Sequence, residues 1–250
     1  MILLTLDYPS LAHLSALNTK IEALLKTRPW YKLILEYCAS ALKSMARLKI
    51  LHLHTAASIS KAFFNPNCSS PGCTALTDNL FLPTCRRYCN SCLGTTPTST
   101  AVCSYFVIED YNISWEECAA NMPTMRSADA GFQSFVCALE DDVVVYAREK
   151  YGKARIIPAS FKARFWSSLT TIRFPFVDSE SKGVEFGRWC RACVEAFDAH
   201  MRLWTELETV SRREEDNKRM GEELKEKAET VYNTKQLLWH VQSGDPVDVH

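Results

Sequence analysis

The feature of this chain that most constrains its fold is a set of closely spaced cysteines. They are Cys68, Cys73, Cys85, Cys89, Cys92, Cys190 and Cys193, most of them in a segment without apolar periodicity. Short turns between cysteines let two thiolates bind one ion while backbone N–H groups stabilise the charge. With His200, which follows the last pair, these residues offer eight ligands, enough to fill two tetrahedral zinc sites.

The sequence leaves open which ligands share an ion. One arrangement fills a first site with Cys68, Cys73, Cys89 and Cys92. Cys85 then completes a second site with the three C-terminal ligands. Another arrangement pairs the two Cys-x2-Cys knuckles with each other. In both cases bound metal connects the first cluster to residues about a hundred positions further along the chain, so we expect it to hold the fold together.

The cysteines have three other interpretations: free structural thiols, redox centres or catalytic nucleophiles. Cys38, Cys103, Cys118 and Cys137 are isolated in apolar or helical surroundings, and we expect them to be small buried hydrophobic residues. A redox Cys-x2-Cys motif requires a βαβ context that neither knuckle shows. Because no nucleophile signature, phosphate loop, GxSxG or HExxH motif is present, we predict structural zinc and no enzymatic activity.

Charge and targeting signals bear on the compartment and the partners. The chain has 29 basic and 29 acidic residues, so no net charge draws it to nucleic acid or an anionic membrane. Its apolar start has no basic residues and no cleavage site, which excludes a secretory signal. We expect an intracellular protein, cytoplasmic or nuclear, in which 11 cysteines stay reduced.

Hydrophobic periodicity predicts a mainly α fold with a small β or irregular, zinc-stapled region. Residues 8–27 and 30–49 form a predicted helical hairpin, separated at Pro29. Further helices are predicted at 114–122, at 140–151 and, as one long helix or two, at 189–241. We therefore expect three regions, which are a helical region at 1–50, a Cys-rich knuckle region at 51–100, and a helical domain at 101–250 that closes onto the cysteine cluster.

Local signals refine this prediction. Ser114 and Glu117 have the spacing of a capping box, and Gly152 is placed to end the helix before it. The aromatic and β-branched segment 155–189 indicates strands or loops. We expect His52 and His54 to face solvent. Arg86, Arg87 and Tyr88 leave a nucleic-acid-binding zinc knuckle as an alternative function.

The stretch LDYPSLAHLSALNTKIEALL resembles the second half of an F-box, with the end of one helix followed by a proline-started helix. The segments TRPWYKLILEYCASALKSM, NLFLPTCRRYCNSCL, VVVYAREKYG and WCRACVEAFDAHMRLW are similar, in the same order, to parts of a group of filamentous-fungal F-box-domain proteins. The similarity covers most of the chain, and the cysteine cluster is its most specific part.

This resemblance implies a substrate-receptor subunit of a Skp, cullin and F-box ubiquitin ligase, which recruits a protein target without bond chemistry of its own. The residues that it implies as adaptor-facing are Ile2, Leu3, Leu6, Pro9, Leu11, Leu14 and Leu17. An F-box normally opens with a Leu-Pro element, and this sequence begins at Met1, after it. If the truncation is real, we expect adaptor binding to be weakened or lost; the alternative is that an upstream exon is missing from this sequence. A separate alternative is that the N-terminal leucines pack on the protein's own core.

Overall fold

The fold is known from a computed structural model, which describes residues 2–126, 136–152, 166–178, 180–189, 191–207, 214–232, 236–237 and 240. It is mainly α-helical with short β-strands, as the periodicity predicts. The first five helices are α1 Tyr8–Leu17, α2 Thr19–Lys26, α3 Pro29–Tyr37, α4 Ala39–Arg47 and α5 Ala56–Phe64. Short 3-10 helices lie at Ile2–Thr5, Leu51–Leu53 and Pro97–Ser99.

Each of the two long N-terminal helices predicted from periodicity is divided into two shorter ones. Asn18 leaves the helical conformation, and its side-chain oxygen accepts hydrogen bonds from the N–H groups of Lys20 and Ile21. It therefore ends α1 and caps α2, because such a cap satisfies donors that the first helical turn leaves unpaired. Cys38 separates α3 from α4 in the same way, without a side-chain cap.

The Cys-rich segment forms part of a small antiparallel sheet. Its strands are β1 Asn79–Phe81, β2 Arg86–Arg87 and β6 Thr171–Arg173, in the order β2-β1-β6. Leu80, in the central strand, lies opposite Arg87 on one side and Ile172 on the other. The segment that lacks apolar periodicity is therefore joined by backbone pairing to a strand far along the chain.

Residues 101–126 and 136–151 form a second sheet covered by helices. The strands are β3 Ala101–Cys103, β4 Thr124–Arg126 and β5 Val136–Leu139, in the order β3-β5-β4 and all antiparallel. The helices are α6 Ser104–Tyr111, α7 Trp115–Asn121 and α8 Glu140–Tyr151. Two local predictions are confirmed here, because Ser114 and Glu117 form the capping box of α7 and Gly152, at φ 71°, ends α8.

The C-terminal part contains a strand pair and two helices. Strands β7 Phe176–Val177 and β8 Val184–Glu185 pair antiparallel. Helices α9 Arg191–Leu207 and α10 Glu214–Glu229 pack on each other, which matches the prediction of two helices in succession. Arg188 and Tyr232, which flank this helix pair, form an isolated antiparallel bridge.

Two hydrophobic cores are present among the described residues. The first core extends from Tyr8 in α1 to Phe174 and includes α3–α5, the Cys-rich segment and the strands β1, β3 and β5. The second core lies between the sheet β3-β5-β4 and helices α6–α8. The predicted regions 1–50 and 51–100 thus share one core, and their boundary stays a prediction.

Candidate metal centre

Four cysteine side chains converge at the surface of the first core. Their sulfur atoms, those of Cys68, Cys73, Cys89 and Cys92, all lie within 4.8 Å of one another. The Sγ atoms of Cys73 and Cys89 are 3.9 Å apart. Zinc bound tetrahedrally at about 2.3 Å from each sulfur separates the sulfurs by about 3.8 Å. The four-cysteine group therefore has the ligand number and the spacing to hold a tetrahedral metal ion.

Local backbone structure brings each pair of ligands together. The first pair stands on either side of a turn at residues 70–72, in which Gly72 adopts φ 77°. The second pair follows β2, where the N–H of Cys92 donates to the carbonyl oxygen of Cys89 at 3.0 Å. The N–H of Ser69 donates to the carbonyl oxygen of Arg87 at 2.8 Å, so the two turns are held side by side.

The electrostatics of the group favour a bound cation. The N–H of Cys89 donates to the Sγ of Cys68 at 3.4 Å. Hydrogen bonding, mainly from the Cys89 side chain, lowers the pKa of Cys68 to about 4. The same contact raises the pKa of Cys89, and burial raises that of Cys73. Negative charge therefore concentrates on Cys68, and a divalent ion would supply the positive charge that lets Cys73 and Cys89 ionise as well.

The other predicted ligands lie elsewhere or outside the described residues. Cys85, in the turn between β1 and β2, is buried in the first core, where it interacts with Cys38 and Tyr8. Burial raises the pKa of Cys85 to about 12, so its thiol is protonated at neutral pH. Cys190 and the side chain of His200 lie outside the described residues, so the second site with Cys193 stays a prediction.

The four cysteines expected to be small hydrophobic residues are all buried, and they are Cys38, Cys103, Cys118 and Cys137. Cys103 and Cys137 lie opposite each other in β3 and β5. Burial raises the pKa of Cys38 and of Cys137 to about 12 in each case. These thiols therefore belong to the cores and have the chemistry of inert buried groups.

Arg87 is the residue near the metal centre whose role the sequence did not reveal. It is 1% exposed, and its guanidinium donates hydrogen bonds to four backbone carbonyl oxygens. The acceptors are Ala62 at 2.7 Å, Thr77 at 3.0 Å, Phe174 at 2.9 Å and Pro175 at 2.5 Å. Burial lowers the pKa of Arg87 to about 10, so it stays charged at neutral pH.

The surroundings of Arg87 explain how the charge is tolerated. The guanidinium carbon lies 5.2 Å from the ring centre of Phe174 and 5.7 Å from that of Phe176, at cation–π distances. Asp78 adds electrostatic attraction. Tyr88 is buried as well. The prediction that Arg87 and Tyr88 could contribute to a nucleic-acid-binding surface is therefore wrong, because both side chains are buried.

A second contact ties the Cys-rich segment to the residues after β6. The Asp78 carboxylate accepts from Arg173 Nε at 2.7 Å, and Arg173 also donates to the carbonyl oxygen of Gly187 at 2.7 Å. Its guanidinium carbon lies 4.6 Å from the ring centre of Trp189. Gly187 sits so close to its neighbours that a Cβ atom would collide with Val231 and lie tightly against Asp78. These contacts hold residues 187–189 against Asp78, the residue before β1.

The two neighbouring histidines differ. His52 is exposed as predicted, but His54 is buried and its Nε2 lies 2.8 Å from the carbonyl oxygen of Leu82. The expectation that His54 faces solvent is wrong, because the 3-10 helix at Leu51–Leu53 turns it onto the core.

The N-terminal residues implied as adaptor-facing differ widely in exposure. Leu11 is fully buried in the first core, so its side chain is not accessible to a partner and this part of the prediction is corrected. Leu3 and Leu6 are partly buried against the same core. Pro9 and Leu14 are half-buried, whereas Leu17, at the end of α1, is 85% exposed. The side chain of Ile2 lies outside the described residues.

No protein-family model, curated protein or solved structure matches this chain. Among the residues that the structure describes, no helix has both the length and the apolar character needed to cross a membrane.

Proposed function

We propose that this chain is a non-catalytic protein-interaction subunit of F-box type that acts inside the cell, in the cytoplasm or nucleus. Its N-terminal helices bind a Skp-family adaptor, and the rest of the chain presents a surface to a protein target that is then ubiquitinated. A structural zinc ion in the four-cysteine group keeps the Cys-rich segment folded beneath the N-terminal helices.

The four converging sulfur atoms support the zinc part of this proposal. A tetrahedral group of four thiolates is a site for zinc or an iron–sulfur centre, and zinc is its usual structural occupant. All four protein ligands are sulfur, which matches a closed structural site rather than a catalytic one with an open position. A reducing compartment keeps such thiols available to the metal.

The observation that carries the adaptor part is the exposure of apolar side chains on α1 and α2, in the segment that resembles an F-box. Leu17 is 85% exposed and Leu24 is 42% exposed. With Leu14, which is half-buried, these leucines form the candidate adaptor surface. Leu11 is excluded from it because it lies in the core, so α1 contributes to the core and to the candidate surface through different residues.

The test is binding of the purified full chain to a purified Skp-family adaptor. Leu17→Glu places a charge in the candidate adaptor surface and is expected to reduce adaptor binding at least tenfold. It should leave thermal unfolding unchanged, because the side chain is exposed. Val145→Glu, at a residue of α8 that is 48% exposed, is the matched control and should bind as the wild type does.

The outcomes separate the two interpretations of the N-terminal leucines. Binding by the wild type that is lost only in Leu17→Glu supports the F-box function. If the wild-type chain does not bind the adaptor, or if both variants bind equally well, α1 and α2 serve only the fold and the F-box function is refuted.

A further inference from the structure

A second pair of metal-ligating side chains meets near the C-terminal end of the described residues. The Sγ of Cys193 and the Nε2 of His240 are 3.3 Å apart, although 47 positions separate them in the sequence. Cys193 is 1% exposed and His240 is 7% exposed. Neither residue takes part in the four-cysteine group or in the candidate adaptor surface.

Packing and backbone pairing hold this pair in place. The ring of Tyr232 stacks on that of His240, with the ring centres 4.9 Å apart and an angle of 22° between the planes. The backbone of Tyr232 exchanges two hydrogen bonds with that of Arg188, at 2.8 and 2.9 Å. The residues just before α9 and just after α10 are thereby held side by side.

The distance and the residue types fit a shared ion. Zinc binds sulfur at about 2.3 Å and imidazole nitrogen at about 2.0–2.1 Å, which in a tetrahedron places the two ligand atoms about 3.6 Å apart. The observed 3.3 Å is close to this value. Cys190 stands three positions before Cys193 in the sequence, which is the spacing of a zinc knuckle.

We propose that Cys193 and His240 are ligands of a second zinc site. His240 takes the place that the sequence pattern assigned to His200. Cys193 and His200 belong to the continuous helix α9, on which residues seven apart are separated by about 10 Å along the axis. Ligands of one zinc lie only about 4 Å apart.

This second site links the two ends of the helix pair α9 and α10. It joins the first turn of α9 to a residue beyond α10, next to the Arg188–Tyr232 bridge. Its role is independent of adaptor binding, because it stabilises the part of the chain that packs on Asp78 through Gly187 and Val231.

The experiment measures zinc per chain in the full-length protein, purified under reducing conditions, by mass spectrometry of the metal. We expect two zinc ions per chain in the wild type and one in His240→Gln, because glutamine keeps a hydrogen-bonding group near the thiol but is a poor zinc ligand. The matched controls His200→Gln and His52→Gln should keep two. One zinc ion in the wild type, or two in His240→Gln, overturns the proposal.

A rescue variant covers the case in which His240→Gln fails to fold. His240→Cys supplies a thiolate in place of the imidazole, and it should keep two zinc ions and cooperative unfolding. A histidine that only packs or donates a hydrogen bond is not replaced in this way, so a zinc content of one or none in His240→Cys refutes the site. Cys89→Ser should lose the other ion, which identifies each site separately.

Discussion

The Cys-rich segment and the second core solve the same problem with different chemistry. Residues 66–100 have few apolar side chains in regular spacing, and they are held by four sulfurs, a buried arginine and backbone pairing to distant strands. Residues 101–126 and 136–151 bury an ordinary apolar core between a sheet and three helices. The difference teaches that the two parts of this chain are held in different ways: the Cys-rich segment by a candidate metal site, hydrogen bonds and strand pairing, and the second core by apolar burial.

Loss of metal from the four-cysteine group should have the largest effect, and it should be confined to the Cys-rich segment. Structural zinc contributes roughly 10 kcal/mol or more in small zinc-finger peptides, which is comparable to the whole stability of a typical domain. Cys89→Ser should therefore abolish hydrogen-exchange protection in β1 and β2. Protection in α7 and α8, which pack in the second core, should persist.

The control for this change is Cys137→Ser, which alters a fully buried cysteine outside the four-cysteine group. It should lower stability by a few kcal/mol and keep the zinc content of the wild type. If the wild-type chain unfolds cooperatively at the same temperature with and without metal, the Cys-rich segment does not depend on metal for its stability.

Arg87→Met tests the part of the stability of the Cys-rich segment that does not depend on metal. The substitution leaves four buried carbonyl oxygens without their donor, and we expect a loss of about 3–5 kcal/mol in the free energy of unfolding. Arg86→Met, at the exposed neighbouring residue, should change stability by less than about 0.5 kcal/mol. Equal effects in a denaturant titration of the two variants would show that the guanidinium hydrogen bonds are unimportant.

Ile113→Ala tests the second core on its own. Ile113 is fully buried, and its truncation should cost about 2–5 kcal/mol through lost burial and the cavity left behind. Ile108→Ala, at an exposed position of α6, is the control and should cost well under half as much. Both variants should keep the zinc content of the wild type. A loss of zinc in Ile113→Ala would show that the Cys-rich segment depends on the second core.

His54 makes the stability of the first core sensitive to acid. Burial lowers the pKa of His54 in the folded state, so the unfolded chain binds more protons just below its ordinary pKa of about 6.5. The free energy of unfolding should therefore fall as the pH drops below about 6.5, by at most about 1.4 kcal/mol per pH unit. His54→Gln should flatten this dependence in urea titrations between pH 5 and 7, whereas a flat wild-type profile would exclude it. His52→Gln, at an exposed position, should leave it unchanged.

The smallest predicted effect concerns the N-terminal cap of α7, which packs in the second core. Ser114→Ala removes the hydroxyl that accepts from the N–H of Glu117 at 3.2 Å, at a cost of about 1 kcal/mol. Ser40→Ala, at an exposed residue of α4, is the comparison and should be near neutral. If thermal unfolding shows no difference between the two variants, the capping box does not contribute measurably.

Sequence patterns predicted those features that depend on neighbouring residues. The helix that ends at Gly152 and the capping box at Ser114 are encoded within a few positions, and so are the turns that bring the four cysteines together. The break at Asn18 has a local signal as well, because asparagine is a favoured N-cap residue. The apolar periodicity continues across Asn18, and for that reason the sequence pattern predicted one helix there.

Features that depend on distant residues escaped prediction. Arg87 is buried because Phe174 and Pro175, 87 and 88 positions away, present their carbonyl oxygens to it. Nothing in the sequence around Arg87 distinguishes it from the exposed Arg86. Similarly, the spacing of Cys190, Cys193 and His200 cannot show that His240 is the histidine next to Cys193, because that contact depends on how the chain returns after α10.

The positions of the four cysteines, Cys68, Cys73, Cys89 and Cys92, also affect the order in which parts of the molecule can form during translation. All four leave the ribosome within one short stretch, so metal capture can precede synthesis of most of the chain. Arg87 emerges within that stretch too, yet two of its acceptors, at Phe174 and Pro175, are made much later. Until then the guanidinium lacks two of its four acceptors. If the four cysteines bind metal as we propose, the ion binds first and the arginine completes the assembly afterwards.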